Sequence, residues 1–362
     1  MSTQALINAH THIFTQKHVP DKFLPGAAKW LADQLLKKNT AKFFKKLKMN
    51  ALADLSYRYY TFKAIGEIGD QNAIFKHLRG FYPEDTSIVV LSMDMEYMGA
   101  GKVPESFELQ LKGLADLKKI HGNKILPFVF AHPERPNILD IVKKHIEAPE
   151  APFSGIKIYP ALGYFPTDPR LDEVFAYAEV NQIPVMTHCT RGGVFYKGKL
   201  TVERRTDPAD GKEYPKAKNN KFTEVYSDPD RYRALLNKYP KLKICFAHFG
   251  GAGEWDKYLN NSWHGQDNDG KSWFSKVKEL LIEYDNVYTD VSYTLYDSKY
   301  YGLLKTTLMD PVCRKKVLFG TDYYMLEQEI SERAFGINLR GHLGQEDFDQ
   351  ISITNTKAYL NL

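Results

Sequence analysis

Five residues in this sequence are of the types that bind catalytic metal ions, and each stands at the end of an apolar run. They are His10 and His12 in LINAHTH, His188 in PVMTHC, His248 in KICFAHFGG and Asp322 in VLFGTD. Imidazole nitrogen and carboxylate oxygen are the ligands of catalytic zinc, which keeps one position open for water or substrate. Water bound there ionises at about pH 7, and a bound substrate oxygen is polarised. Strand side chains alternate faces, so His10 and His12 project to the same side while Thr11 points away. The same period aligns His188 with Met186, His248 with Ile244 and Phe246, and Asp322 with Leu318 and Gly320, each continuing an inward-facing row. An HxH pair alone is a weak signal. Its combination with ligand types closing three further runs is specific.

Other residues at run ends could meet a substrate. Lys157 in GIKIYP shares its row with Gly155 and Tyr159, and a lysine inside a barrel must be neutralised or paired. An ion pair with Asp94 or Asp322, or contact with a substrate carboxylate, would do this. Arg191 follows His188 by three residues, where a guanidinium could grip a carboxylate through two hydrogen bonds. Asp94 and His132 close the second and third runs and could touch substrate or brace a ligand. Tyr159 and Tyr164 could add an aromatic wall, and Asp290 in VYTDVSY could support a ligand. His248 could pass a proton or stabilise oxyanion charge, and Asp322 could accept a proton from the bound water.

The elements that position these residues are short. Apolar runs recur at Leu6–His10, Ile88–Met95, Ile125–His132, Gly155–Pro160, Pro184–Cys189, Lys243–His248, Val287–Tyr293 and Val317–Asp322. Helical stretches such as SFELQLKGLADLKKIHG and LDEVFAYAEVNQ separate them. Eight βα units with polar chemistry confined to the C-terminal strand ends predict an α/β protein, a (β/α)8 TIM barrel. Residues 1–362 then form a single barrel domain carrying two insertions. The first, about 15–86, follows strand 1 and is helical; its Trp30, Leu31, Leu35, Leu36, Phe43, Phe44 and Leu47 make an apolar stripe among lysines. It suits a layer over the barrel or a homodimer contact. The second, about 190–230, follows strand 5 on the catalytic face and reads as a substrate-covering lid.

Composition narrows the partners. A net charge of +5 over 362 residues is too small an excess to imply a nucleic-acid surface. No stretch approaches the roughly 20 apolar residues that span a bilayer. The start, MSTQALINAHTHIF, lacks a secretory pattern, and Cys189, Cys245 and Cys313 are far apart in apolar runs, as buried thiols are. The expectation is a cytoplasmic protein with a small-molecule substrate, no nucleic acid and no membrane.

Taken together, NAHTHIF, LSMDMEYMGAG, LPFVFAHPERP, GIKIYPALGYFPTDPRLDEVFAYAEVNQIPVMTHC, FAHFGG, LFGTD and ITNTKAYL resemble the amidohydrolase superfamily. The branch is amidohydrolase family 2, which includes aminocarboxymuconate semialdehyde decarboxylase-like enzymes. The resemblance implies that His10, His12, His188 and Asp322 hold one divalent metal, usually zinc, with His248 as an acid/base residue beside it. Binuclear members of the superfamily use a carboxylated lysine on strand 4, so two metals bridged by Lys157 is the less favoured arrangement. The expected activity is metal-dependent hydrolysis of a small carboxylated or cyclic substrate, at a lactone- or amide-type bond, with His248 and Asp322 catalytic. Nonoxidative decarboxylation of an unsaturated or aromatic acid is the alternative. A catalytically idle, metal-holding barrel that acts as an interaction module is the reading from a different class.

Overall fold

Each of the eight apolar runs overlaps a strand in the computed structural model, which describes residues 5–23, 61, 63–260 and 271–362. The strands are β1 (Ile7–Thr11), β2 (Ser87–Leu91), β3 (Ile125–Phe130), β4 (Gly155–Ile158), β5 (Val185–Thr187), β6 (Ile244–Phe246), β7 (Val287–Asp290) and β8 (Val317–Leu318). They pair in parallel and in chain order. The ends of the sheet meet where Ala9 N–H donates to Phe319 O at 2.8 Å, and where Thr321 and Asp322 N–H both donate to His10 O at 3.2 and 2.8 Å. The architecture is a (β/α)8 TIM barrel.

Strand sequences are apolar on both faces because both faces are buried. Ile88, Val90, Val129, Ile156, Ile158, Val185, Ile244 and Phe246 face the surrounding helices. Ile7, Ala9, Val89, Leu91, Leu126, Phe128, Met186, Cys245 and Leu318 fill the interior. Crossover helices such as Gln71–Arg79, Phe107–His121 and Trp273–Glu283 begin at Asp70, Ser106 and Ser272, whose side chains cap free N–H groups of the first turn. The closing helix Asn355–Leu360 does more than pack on the outside. Its Tyr359 and Leu360 join the interior cluster, and the Tyr359 hydroxyl donates to Val185 O at 2.8 Å, at the start of β5.

Two inward rows differ from simple alternation. Ile7 and Ala9 face inward, a phase that would turn His10 outward. Between Asn8 and Thr11 the β1–β2 register slips, three residues of β1 spanning two of β2. This bulge inverts the phase and brings His10 and His12 inside. On β6 the inward residues are Cys245 and Ala247, not Ile244 and Phe246 as expected. His248 reaches the interior through a left-handed backbone, φ 67°.

The connection after β5 runs across the strand-end face. Val194 N–H donates to the Tyr159 hydroxyl at 3.0 Å, Tyr196 N–H to Ala161 O at 2.8 Å and Lys197 N–H to Met98 O at 2.7 Å. It carries a small core of its own, with Tyr196, Leu200, Phe222 and Tyr226 around Phe165. The apolar stripe from Trp30 to Leu47 lies outside the described residues. No helix among the described residues is long and apolar enough to cross a membrane. All three cysteines are buried and unpaired.

Candidate metal centre

Four imidazoles form a row at the C-terminal mouth of the barrel. Ring centroids lie 5.5 Å apart for His12 and His10, 4.9 Å for His10 and His248, and 5.0 Å for His248 and His188. Each ring is fixed through one nitrogen. His10 Nδ1 lies 2.8 Å from Asp290 Oδ2, His12 Nδ1 lies 3.0 Å from Leu91 O, and His248 Nδ1 lies 3.0 Å from Ser292 O. In all three the Nε2 atom is left for the site. Among the described residues His10 Nε2, which is fully buried, has no hydrogen-bond partner, a condition that costs free energy unless something binds there.

Asp290, expected only as a minor support, is the electrostatic hub. It is completely buried and accepts from His10, from His248 N–H at 3.0 Å, from Ser292 N–H at 2.9 Å and from the Ser292 hydroxyl. Burial opposes its charge, but His10 and then His248 hold its carboxyl well below the usual range. Ser292 was not singled out from sequence, and its place two residues beyond Asp290 on the same row was the available signal. Asp322 turns the chain with φ 54°. A Cβ on Gly320, two residues before it, would sit 2.8 Å from His10 Cβ, so only glycine lets the chain leaving β8 pass this close to the histidines.

Ligand atoms of His10, His12 and Asp322 lie within 4.8 Å of one another, as do those of His10, His248 and Asp290. The two sets share His10. His188 is in neither, which departs from the four-ligand set expected from sequence. Its Nε2 is turned onto Gly192 O at 3.0 Å, and its ring stacks on Tyr159 with centroids 3.9 Å apart. Burial lowers the basicity of His12 to about 3, against the pull of Asp322, and of His248 to about 4, with His10 adding to the effect. Both are therefore neutral imidazoles at physiological pH, the form that binds metal. The orphaned Nε2, the neutral rings and the nearby carboxylate together fit a divalent cation.

Lys157 points into the same interior. It is 1% exposed, and its ammonium nitrogen has no hydrogen-bond partner among the described residues and lies 5.8 Å from the Tyr159 ring centre. Burial pushes its pKa down to about 8, opposed by Asp290 and Asp322. The expected pairing with Asp94 is not formed, because Asp94 is held by Arg135 Nε at 2.8 Å. Arg135 also reaches Glu96 and Glu108, so this cluster ties the loops after β2 and β3 together. His132 is on the inward row but wedged between Tyr97 and Tyr164. Its Nδ1 accepts from Glu134 N–H at 3.1 Å, and its buried Nε2 has no hydrogen-bond partner among the described residues.

Arg191 differs most from expectation. The carboxylates it grips are the protein's own, Glu254 and Glu224, each at 2.8 Å, and it lies over the Trp273 ring. Arg191→Ala is expected to lower unfolding free energy in urea by about 1–3 kcal/mol, since Glu254 is buried but keeps Lys257 as a partner. Substrate KM should stay within about twofold. A tenfold rise in KM without loss of stability would restore the substrate-gripping role.

The amidohydrolase family model matches residues 7–362. The chain belongs to amidohydrolase family 2. It is thus an enzyme of the amidohydrolase superfamily, and solved structures with the same fold extend over its length. A 5-carboxyvanillate decarboxylase from Novosphingobium aromaticivorans, complexed with manganese and 4-hydroxy-3-methoxy-5-nitrobenzoic acid, is 14% identical with a TM-score of 0.59, covering 99% of this chain and 96% of its own. A 2,6-dihydroxybenzoate decarboxylase from Rhizobium is 12% identical with a TM-score of 0.55, covering 99% of each chain. A 4-oxalomesaconate hydratase from Rhodopseudomonas palustris is 16% identical with a TM-score of 0.51, covering 98% of this amidohydrolase and 95% of its own chain. No curated protein matches the sequence.

Proposed function

We propose that this amidohydrolase is a metal-dependent nonoxidative decarboxylase of an unsaturated or aromatic acid, in place of the hydrolase expected from sequence. The observation that carries the reading is Lys157, a buried cationic side chain with no hydrogen-bond partner among the described residues, beside the histidine row, which calls for an anionic substrate oxygen. The decarboxylases among the similar folds favour C–C cleavage over hydrolysis. His10, His12 and Asp322 would hold the divalent ion, and His188 would join them as a fourth ligand once its Nε2 leaves the Gly192 carbonyl. Zinc and manganese both suit this donor set. When bound, the ion supplies positive charge that orients substrate oxygens and stabilises the anion developing as the C–C bond breaks.

The chain's own residues do the rest. The Lys157 ammonium faces the substrate oxygen that is retained and stabilises the charge gathering there. His248, anchored through Nδ1 at Ser292, presents a bare Nε2 that takes the proton of a substrate hydroxyl. It returns that proton to the carbon bearing the carboxylate. The C–CO2 bond then breaks, its electron pair returns to the ring or alkene, CO2 leaves, and solvent reprotonates the oxygen. One proton is consumed per turnover.

The test is incubation of the metal-loaded enzyme with hydroxybenzoates and unsaturated dicarboxylates in D2O. One CO2 per substrate, with deuterium at the vacated carbon, is the expected result. A cleaved or ring-opened product without CO2 would return the assignment to hydrolysis.

A further inference from the structure

The weakest seam of the barrel runs through the proposed metal ligands. Among the described strands β8, two residues long, pairs only with β7, and β1 pairs only with β2. Between them no regular ladder forms, and the His10 carbonyl takes N–H groups from two successive residues, Thr321 and Asp322. Three ring-spanning bonds of this kind do not by themselves set a register. Yet His10 and His12 stand on one side of the seam and Asp322 on the other, and their ligand atoms converge to within 4.8 Å.

Behind the seam lies a buried polar knot that the decarboxylation steps do not use. Glu332 opens the helix Glu332–Leu343 and is 1% exposed. Its Oε1 accepts from Thr321 Oγ1 at 2.7 Å, from the Tyr82 hydroxyl and from Asn8 Nδ2 at 3.4 Å. Asn8 Nδ2 also donates to Thr321 Oγ1 at 2.8 Å and to the Tyr82 hydroxyl at 2.9 Å. The amide oxygen of Asn8 then accepts from His10 N–H at 3.1 Å. One carboxyl oxygen therefore joins β1, the chain after β8, the approach to β2 and the helix that follows. Its chain of bonds ends on the backbone of His10 and on the residue next to Asp322.

We propose that Glu332 is a positioning residue for the metal centre, clamping Asn8 to Thr321 so that His10, His12 and Asp322 keep a common distance. The inference rests on those three residues holding the metal. It is independent of which reaction follows. A buried carboxyl in this role costs stability, and burial pushes its pKa up to about 7, so the neutral acid, which glutamine resembles, is populated at physiological pH.

The experiment is Co2+ titration of the full chain, read by dissociation constant and visible absorption spectrum. Glu332→Ala is expected to raise the Kd about tenfold or more, the scale on which supporting partners of ligands act, and to alter the spectrum. Glu332→Gln, which keeps an acceptor oxygen, should stay within about threefold of wild type with an unchanged spectrum. Thr321→Val, which removes the same link from the other side with less disruption, should move Kd and spectrum in the same direction. Val142→Ala, a buried site on the helix between β3 and β4, controls for general loosening and should leave Co2+ binding intact. Wild-type affinity and spectrum in folded Glu332→Ala and Thr321→Val would overturn the clamp while leaving the metal assignment standing. Absence of Co2+ binding in wild type would overturn both.

Discussion

Lys157→Met is expected to make the metal-free protein more stable and the loaded enzyme far slower. The wild-type ammonium is buried without a hydrogen bond to the described residues, and its pKa falls from 10.5 to about 8, chiefly through burial. At ~1.4 kcal/mol per pH unit this is a cost of about 3 kcal/mol to the folded state below pH 8. The sign follows from proton binding. Between about pH 8 and 10.5 the unfolded chain holds the proton more firmly, so wild-type stability rises with pH across that window. The gain from methionine, an apolar side chain of similar length, should therefore be about 3 kcal/mol at pH 7 and fade towards pH 10.5. Thermal melts at pH 7 and pH 10 measure it. Turnover should fall by about 100-fold or more, the usual effect of deleting a group that meets developing negative charge. A variant that gained stability and kept its turnover would remove Lys157 from the mechanism.

His12→Ala and Asp322→Ala should each empty the site. Elemental analysis after gel filtration should find about one divalent ion per wild-type chain and less than about a tenth of that in either variant, with turnover reduced by about 1000-fold or more. His188→Ala separates two arrangements. Its Nε2 rests on the Gly192 carbonyl and it stands outside both sets of converging ligand atoms, so a partial loss of metal is expected. Complete loss would make His188 an equal ligand. About two ions per wild-type chain would instead mean that a second ion is held by His248 and a carboxylated Lys157.

The barrel was legible because two-sided burial writes itself into sequence as short apolar runs, and eight of these became eight strands in order. Run ends were legible as sites of chemistry for the same reason, since the hydrophobic pattern stops where side chains begin to serve something else. Facing was less legible. The bulge in β1 and the left-handed turn at His248 each reverse an alternation, and neither histidine carries a local mark of it. Roles set by distant partners were hidden altogether. Asp290 meets His10 across 280 residues and Glu332 meets Asn8 across 324. Arg191 looked free to take a substrate because Glu224 and Glu254 lie 33 and 63 residues away. Such pairings are made by barrel closure and by loop packing, and spacing within one segment does not encode them.

Tyr359 sits at the opposite end of the barrel from the histidine row, hydrogen-bonded to the first residue of β5 and packed among the interior apolar residues. It plugs that end of the barrel with an aromatic ring. The floor of the barrel is thus built by the last helix of the chain, so the strand that carries His10 and the residues that seal the far end are contributed by opposite extremes of the sequence.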